Sequence, residues 1–554
     1  MTFSMKSGNQ SQHSTPSATR VIVAGAGPVG LSLALDLGRR GIACVLVGAV
    51  TVEQGLDRDR VRKANAINNR SMEYMRRLGV ADQIRDAARR VERSTLDVAF
   101  VTSLSGYEIA RFVDAFESSP DQPEPDLSPE KYLRINQEDI QDILRDALRE
   151  CPSVRVLSGM RVAGFTDTGD VVRVHIETFD GTDAGEIEGQ YLLGCDGGSS
   201  TVRKVAGIRF EGEGSRVRNL NISFHSDEVE SRNVHAPASM YWVVNPLVNG
   251  YIGSDKGHGR MTLWDIDEAQ EQSIRQDPGK VISAAVGVPV SVEAKSFDCW
   301  YAHRLVASTY RRGRVFLAGD AAHLHPPTGG LGMNTGLGDA SNLGWKLAAV
   351  IEGWGAPALL DTYDIERRPI GARVVAQANL QFDLPPAAFL LPHLDAPTDA
   401  GNAARAVARE RIMNEKRTEF FSRGLVLGQS YANSPATIAA RGSLNSDVVQ
   451  YQPTAEPGAR LPHVRLNGSS LYDKLDRHGL TLIDCGGSAA EILTMASTAK
   501  QLGIPLTVLS IPEKQRAQYE RRYLLVRPDH HVATWSDVPL PEATMRQAVG
   551  FDIH

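Results

Sequence analysis

The sequence predicts an α/β fold in three parts: a parallel sheet flanked by helices, an antiparallel sheet inserted into it, and a smaller α/β unit at the C-terminal end. Three observations carry this expectation. An apolar run, Val21 to Ala24, enters a glycine-rich turn and then a helical pattern. Segments of alternating polarity crowd residues 221 to 264. After Tyr451, short apolar runs alternate with helical stretches.

The chain has 554 residues, enough for roughly three to four domains and for a core that needs no metal or disulfide staple. Its 60 Lys+Arg stand against 66 Asp+Glu, a net charge of −6, so no basic footprint marks it for nucleic acid or an anionic membrane. The five cysteines (Cys44, Cys151, Cys195, Cys299 and Cys485) are scattered without a CxxC pair or zinc spacing, which points to free thiols in a reducing cytoplasm. Residues 1–19 are Ser, Gln and Thr rich and read as a disordered tail, not a signal peptide. No apolar run approaches the ~18 residues of a membrane span.

Taken in order, Val21-Ile22-Val23-Ala24 leads straight into Gly25-Ala26-Gly27-Pro28-Val29-Gly30 and a helix from Leu31 to Arg40. This is GxGxxG in the strand, turn, helix setting that gives it meaning. Gly25 permits the tight turn, Gly27 lets a pyrophosphate approach the backbone, and Gly30 lets the helix lie close to the strand with its N-terminus toward the phosphates. The next strand, Ala43 to Val47, should end in an acid that holds the adenosine ribose. Gly48 stands there instead. Glu53 and Asp57 are the nearest acids, and a Glu restored at 48 is expected to tighten nucleotide binding.

Two later motifs narrow the nucleotide. Residues 191–203 read YLLGCDGGSSTVR, a strand entering Asp196-Gly197. Residues 314–338 read RVFLAGDAAHLHPPTGGLGMNTGLG, a strand ending in Gly319-Asp320, then a Pro-Pro turn, a glycine-rich loop and a helix from about Met333. With GxGxxG, DG and GD in this order, the sequence resembles the class A flavoprotein aromatic hydroxylases, the single-component FAD-dependent monooxygenases of the p-hydroxybenzoate and phenol hydroxylase type.

The resemblance implies a Rossmann-like FAD-binding domain (20–95, 131–209 and 301–375) with an inserted antiparallel-sheet substrate domain (96–130 and 210–300). A helical linker region (376–450) and a thioredoxin-like C-terminal α/β domain (451–554) follow. It also implies noncovalent FAD, NADPH or NADH as co-substrate, and hydroxylation of a phenolic or related small aromatic substrate by dioxygen through a C4a-hydroperoxyflavin. Gly25, Gly27, Pro28, Gly30, Asp196 and Gly319 would shape the FAD site. By resemblance Arg70 pairs with the pyrophosphate and Gln137 touches the ribityl or phosphate region. Asp320, at the C-terminal end of a strand, can accept from ribityl hydroxyls. Backbone N–H groups at Gly332, Met333 and Asn334 begin a helix and can stabilise negative charge at flavin N1 and O2.

Pro326 is expected over the substrate side of the isoalloxazine, while His323 and His325 form an HxH pair that lacks a third ligand for metal. Strands at Asn221–His225, Met240–Val244 and Arg260–Trp264 would roof the cofactor. Tyr241 is the residue expected to bind the phenol, with His303, His225, Trp242 and Trp264 as further candidates and Asn65 where phenol hydroxylases place a polar group. The C-terminal unit has only Cys485 and cannot run dithiol chemistry, leaving a structural or homodimer-forming role. An epoxidase or reductase on the same fold, or a non-catalytic flavin-binding protein, remains as an alternative.

Overall fold

The structure is a computed structural model that describes residues 19–48, 66–89, 95–117, 126–214, 217–440 and 447–553. Glu53, Asp57, Asn65 and residues 1–18 lie outside the described residues. The chain begins with β1 (Thr19–Ala24), α1 (Pro28–Arg39), β2 (Cys44–Gly48) and α2 (Asn69–Arg77). It then lays down β3 (Val98–Val101) and β4 (Glu108–Phe112), α3 (Gln137–Leu148), β5 (Val154–Ser158), β6 (Asp183–Gly194) and the short α4 (Thr201–Val205). Next come β7 (Arg218–His225), β8 (Met240–Asn245), β9 (Val248–Asp255), β10 (His258–Leu263), α5 (Pro278–Val286) and β11 (Glu293–Tyr301). The chain returns through β12 (Arg304–Ala307), β13 (Val315–Leu317) and β14 (His323–Leu324) into two long helices, α6 (Gly332–Glu352) and α7 (Thr362–Phe382).

The first sheet is built on five parallel strands in the order β13-β6-β1-β2-β5. Its central strands read as unbroken apolar runs because helices cover both faces; Val21, Ile22 and Val23 are fully buried. The order places the C-terminal ends of β1, β6 and β13 side by side, which is where such sheets open a ligand crevice.

The second sheet runs β11-β7-β10-β9-β8-β3-β4, with only β8 and β3 parallel. Its two faces bury different clusters. Tyr241, Val243, Ile252, Met261 and Ile222 pack under Ile282, Ala285 and Val286 of α5. Phe100, Trp242 and Trp264 pack instead with Phe389, Phe420 and Phe421 of the segment after α7.

At the C-terminal end, β15 (Leu480–Asp484), β16 (Leu506–Ser510), β17 (Tyr523–Val526) and β18 (Val532–Ser536) form a sheet in the order β16-β15-β17-β18, with β15 and β16 parallel. This unit does not stand apart. Leu482, Tyr523, Leu525 and Ala533 share one core with Trp345, Ala349 and Leu359 of the first unit.

Candidate active site

The glycine-rich turn has the geometry a dinucleotide needs. Gly25 has φ +109°, and a Cβ there would meet the Cys195 carbonyl oxygen at 2.2 Å. A Cβ at Gly30 would lie 1.9 Å from the Gly25 carbonyl oxygen, yet one at Gly27 would meet nothing within 4 Å. Two glycines are thus demanded by packing, and the third faces open space at the N-terminus of α1, whose first residue is Pro28. Gly48 is closed from the other side: a Cβ there would sit 2.1 Å from Cβ of Ala26. The ribose acid therefore cannot be restored by substituting Gly48 alone, against the expectation that a Glu at 48 tightens binding.

Asp196, at the end of β6, does not reach toward a cofactor. Its Oδ1 accepts from Ser200 Oγ at 2.5 Å and its Oδ2 from the Val202 N–H at 3.0 Å, so the carboxylate fastens the turn into α4. The expected cofactor contact is corrected to a turn-building role. Asp320, in contrast, leaves the end of β13 with its side chain exposed, and Gly319 beside it takes φ +62° while its N–H donates to Asp339 Oδ2 at 3.0 Å. Gln137 opens α3 half-buried. Gly332 and Met333 open α6 half-buried, and Asn334 locks that end. The Asn334 side chain accepts from the Asn68 N–H at 2.9 Å and donates to the Gly330 carbonyl at 2.8 Å.

The open cradle at Gly27, the exposed Asp320 and the free first turn of α6 fit FAD. Arg70 does not join them. Its guanidinium donates to Glu73 at 2.9 Å and to the Asp529 carbonyl at 2.6 Å, so the expected pyrophosphate contact is corrected to an anchor for the C-terminal unit.

The second sheet presents its other face to this crevice than the sequence suggested. Tyr241 is paired with Ile252 and Ala99 on the face that α5 covers, and its hydroxyl is spent locally. It donates to the Ala236 carbonyl and accepts from the Ala238 N–H, both at 2.9 Å. Tyr241 is a core residue, and its assignment to the phenol is overturned by the side of the sheet on which strand alternation puts it. His225 lies at the far end of β7 beside Asp227.

The facing side carries Trp242, Tyr251, Thr262, Asn221 and Asp298 in cross-strand register, with Trp300 next to Asn219. Arg134, three residues ahead of Gln137, feels the charge or dipole of Tyr251 and Arg260, which ties this face to the cofactor unit. Trp242, Trp264 and Trp300 each bury an indole N–H with no partner among the described residues.

The Pro-Pro turn joins the two units. β12 and β14 pair antiparallel, Leu305 with Leu324 and Val306 with His323, with His303 directly before β12 and Pro326 two residues after β14. Pro326 is buried and Pro327 exposed. His303 Nδ1 is buried without a partner among the described residues. His325 donates from Nδ1 to the Pro326 carbonyl at 2.7 Å, which leaves Nε2 an acceptor. Burial and the neighbouring His323 push the His325 ring down to about 4, so it is neutral. His323 is held by Asp339 at 2.9 Å, and the HxH pair splits between two separate partners.

Sequence reading missed Lys416 and Glu419. Burial raises the Glu419 carboxyl, and Lys416 pairs with Glu419 while lying 4.5 Å over the Trp242 ring. The short helix Arg417–Phe420, which carries Glu419, lies against the loop at 328–330. Nothing periodic in the sequence marks Lys416 and Glu419, because their partners come from distant segments.

Comparison with known proteins agrees with this geometry. The family model described as "FAD binding domain" matches residues 18–378. The chain belongs to the FAD-dependent aromatic-ring hydroxylases. A second model, "Aromatic-ring hydroxylase, C-terminal", matches residues 454–550. This hydroxylase is 30% identical to a 4-methyl-5-nitrocatechol 5-monooxygenase of Burkholderia sp, over 96% of each chain. It is 29% identical to the 2,4-dichlorophenol 6-monooxygenase of Cupriavidus pinatubonensis, over 93% of this chain and 92% of that one. Among solved structures it resembles the rebeccamycin biosynthetic enzyme RebC with reduced flavin, with a TM-score of 0.83 and 30% identity over 96% of this chain and 99% of that one. Aklavinone-11 hydroxylase with FAD and aklavinone follows at 0.78 and 26%, over 96% and 99%.

The hydroxylase is an FAD-dependent aromatic monooxygenase. FAD, when bound, supplies the activation of dioxygen that ring hydroxylation requires. In the protein the first turns of α6 lie against the turn at Gly319–Ala321, next to the exposed Asp320. No helix among the described residues is long and apolar enough to cross a membrane.

Proposed function

We propose that this hydroxylase takes a phenolic ring between the Trp300 side of the sheet and Pro326, with the ring hydroxyl turned to His303. The reading is carried by one observation: His303 holds a buried ring nitrogen with no partner among the described residues, and it directly precedes β12, whose Leu305 and Val306 pair with Leu324 and His323 just ahead of the Pro-Pro turn. Such a nitrogen can take the phenolic proton, and loss of that proton raises electron density at the ortho and para carbons that the oxygen must meet. The indole N–H of Trp300 adds a donor for a second oxygen on the ring. Relatives named for a dichlorophenol and a nitrocatechol are in keeping with a substituted phenol.

In this reading the electrons come from NADPH or NADH, the enzyme works in the cytoplasm, and it can pair as a homodimer. The test is a panel of phenols scored by stimulated NAD(P)H oxidation together with product mass. His303→Ala should keep FAD and lower the hydroxylated product per NAD(P)H by about tenfold or more, the contribution of a positioned acid or base being roughly 10²–10⁴-fold at full effect. Unchanged product yield across the panel rejects His303.

A further inference from the structure

Opposite the crevice, at the C-terminal end of α1, a cleft opens between the two α/β units. It is lined by Asp36, Arg39, Arg40, Arg77, Arg477 and His478, among others. Four guanidinium groups and one carboxylate line it. Asp36 accepts from Arg40 Nε at 2.9 Å and from Arg77 Nη2 at 2.7 Å, so its charge is already shared. The remaining nitrogens of Arg40 donate to the carbonyls of Arg477 and His478, at 2.6 and 3.1 Å, and Arg77 Nη1 donates to the Pro528 carbonyl at 2.9 Å. Carbonyls offer no compensating charge.

Three features leave this cleft short of an anion. Arg77 Nε is buried with no partner among the described residues, although a buried N–H without an acceptor is costly. Arg39 and Arg477 are exposed and make no side-chain hydrogen bond or ion pair among the described residues. Asp473, which feels the charge of Arg477, has both oxygens taken by Arg76, at 2.7 and 2.8 Å. Burial and then the charge of Arg40 hold the His478 ring below its usual range, against the opposing charges of Asp476, Asp36 and Glu352.

We propose that this cleft binds a phosphate-type oxyanion, free or as the phosphoryl group of a metabolite, and that the bound anion clamps the C-terminal unit to the FAD-binding unit. Guanidinium forks match tetrahedral oxyanions in shape and charge, and a single anion touching Arg77, Arg39 and Arg477 would bridge α1, α2 and the turn before β15. Twelve residues of α1, at about 1.5 Å each, separate the cleft from the glycine-rich turn by about 18 Å. The anion therefore does not compete with FAD or with the aromatic substrate.

The experiment titrates inorganic phosphate into the FAD-loaded full-length enzyme by calorimetry, with ionic strength held constant by sodium chloride. Saturable binding of one phosphate per chain is expected, with a rise in melting temperature. Arg477→Ala and Arg39→Ala, both at exposed positions, should each weaken phosphate about tenfold or more, the scale of one lost charge-assisted contact. Lys500→Ala, an exposed charge at the end of a neighbouring helix, should leave phosphate binding unchanged. Adenosine 5′-monophosphate in a parallel titration separates the sources: tighter binding than phosphate indicates a metabolite, equal binding the free ion. Absence of saturable heat overturns the proposal, as does equal stabilisation by chloride or unaltered affinity in both arginine variants.

Discussion

At the ends of β6 and β13 two aspartates stand in comparable places and do different work. Asp196 spends both oxygens on Ser200 and Val202, whereas the Asp320 side chain is exposed at the crevice. Asp320→Ala should therefore weaken FAD by roughly 10- to 100-fold, the about 1–3 kcal/mol of ribityl hydroxyls left without an acceptor. Titration of apoprotein with FAD reads it, and an unchanged dissociation constant would remove Asp320 from the site. The glycine turn, the helix start at Pro28, the strand end before Asp320 and the start of α6 were legible in the sequence as elements, because each is fixed by local geometry. Asp196 was misread for the same reason that made it noticeable. A carboxylate two residues past a strand can face a ligand or cap its own turn, and only the positions of Ser200 and Val202 decide.

At the scale of elements, the question is which face of a strand looks at the cofactor. Alternation in Met240–Asn245 shows that Tyr241 and Trp242 oppose each other, but it does not say which side α5 will cover. The burial of Ile282, Ala285 and Val286 against Tyr241 and Met261 puts Tyr241 in a core under α5, so the sequence located the sheet but not the element that covers each face. Paired substitutions test the assignment. Tyr241→Phe should leave product yield per NAD(P)H unchanged, at a stability cost of about 1–3 kcal/mol for the two unmatched backbone groups. Trp300→Phe should keep the fold and lower yield severalfold, with hydrogen peroxide making up the difference. A loss of yield in the tyrosine variant with none in the tryptophan variant would put the substrate back on the α5 side.

Across the whole molecule, the C-terminal unit is wired to the cofactor unit by buried charge, which no local pattern could reveal because the pairs that cross between the units, Arg460 with Glu73 and Arg527 with Glu366, lie 387 and 161 residues apart. Arg460 binds Glu73. Arg527 spans Glu366 and Asp529, at 2.7 and 2.6 Å, while Lys346 joins Glu366 at 2.6 Å. Arg367 carries the chain on from Tyr431 to Asp339, which receives the Gly319 N–H beside the crevice.

Burial raises the Glu73 and Glu366 carboxyls, but the charges of Arg460 and Arg70, and of Arg527 and Lys346, outweigh it and hold each at about 2. Burial lowers the His531 ring to about 4 and His530 further. The signs agree. The carboxylates contribute stability above their unfolded pKa of about 4.5 and lose it as pH falls toward 2, while the histidines, uncharged in the fold, begin to cost stability once the unfolded chain protonates near 6.5. The earliest acid loss is thus the histidines', between about pH 6.5 and 4, amounting to about 3 kcal/mol for His531. Melting temperature followed from pH 7 to 4.5 should fall. His530→Asn with His531→Gln should remove a clear part of that slope, His325, His463 and His478 supplying the rest, Asn being able to hold the left-handed backbone (φ +65°) that His530 adopts. If the double variant melts with the same pH dependence as the parent, the interface histidines are not the acid-sensitive element.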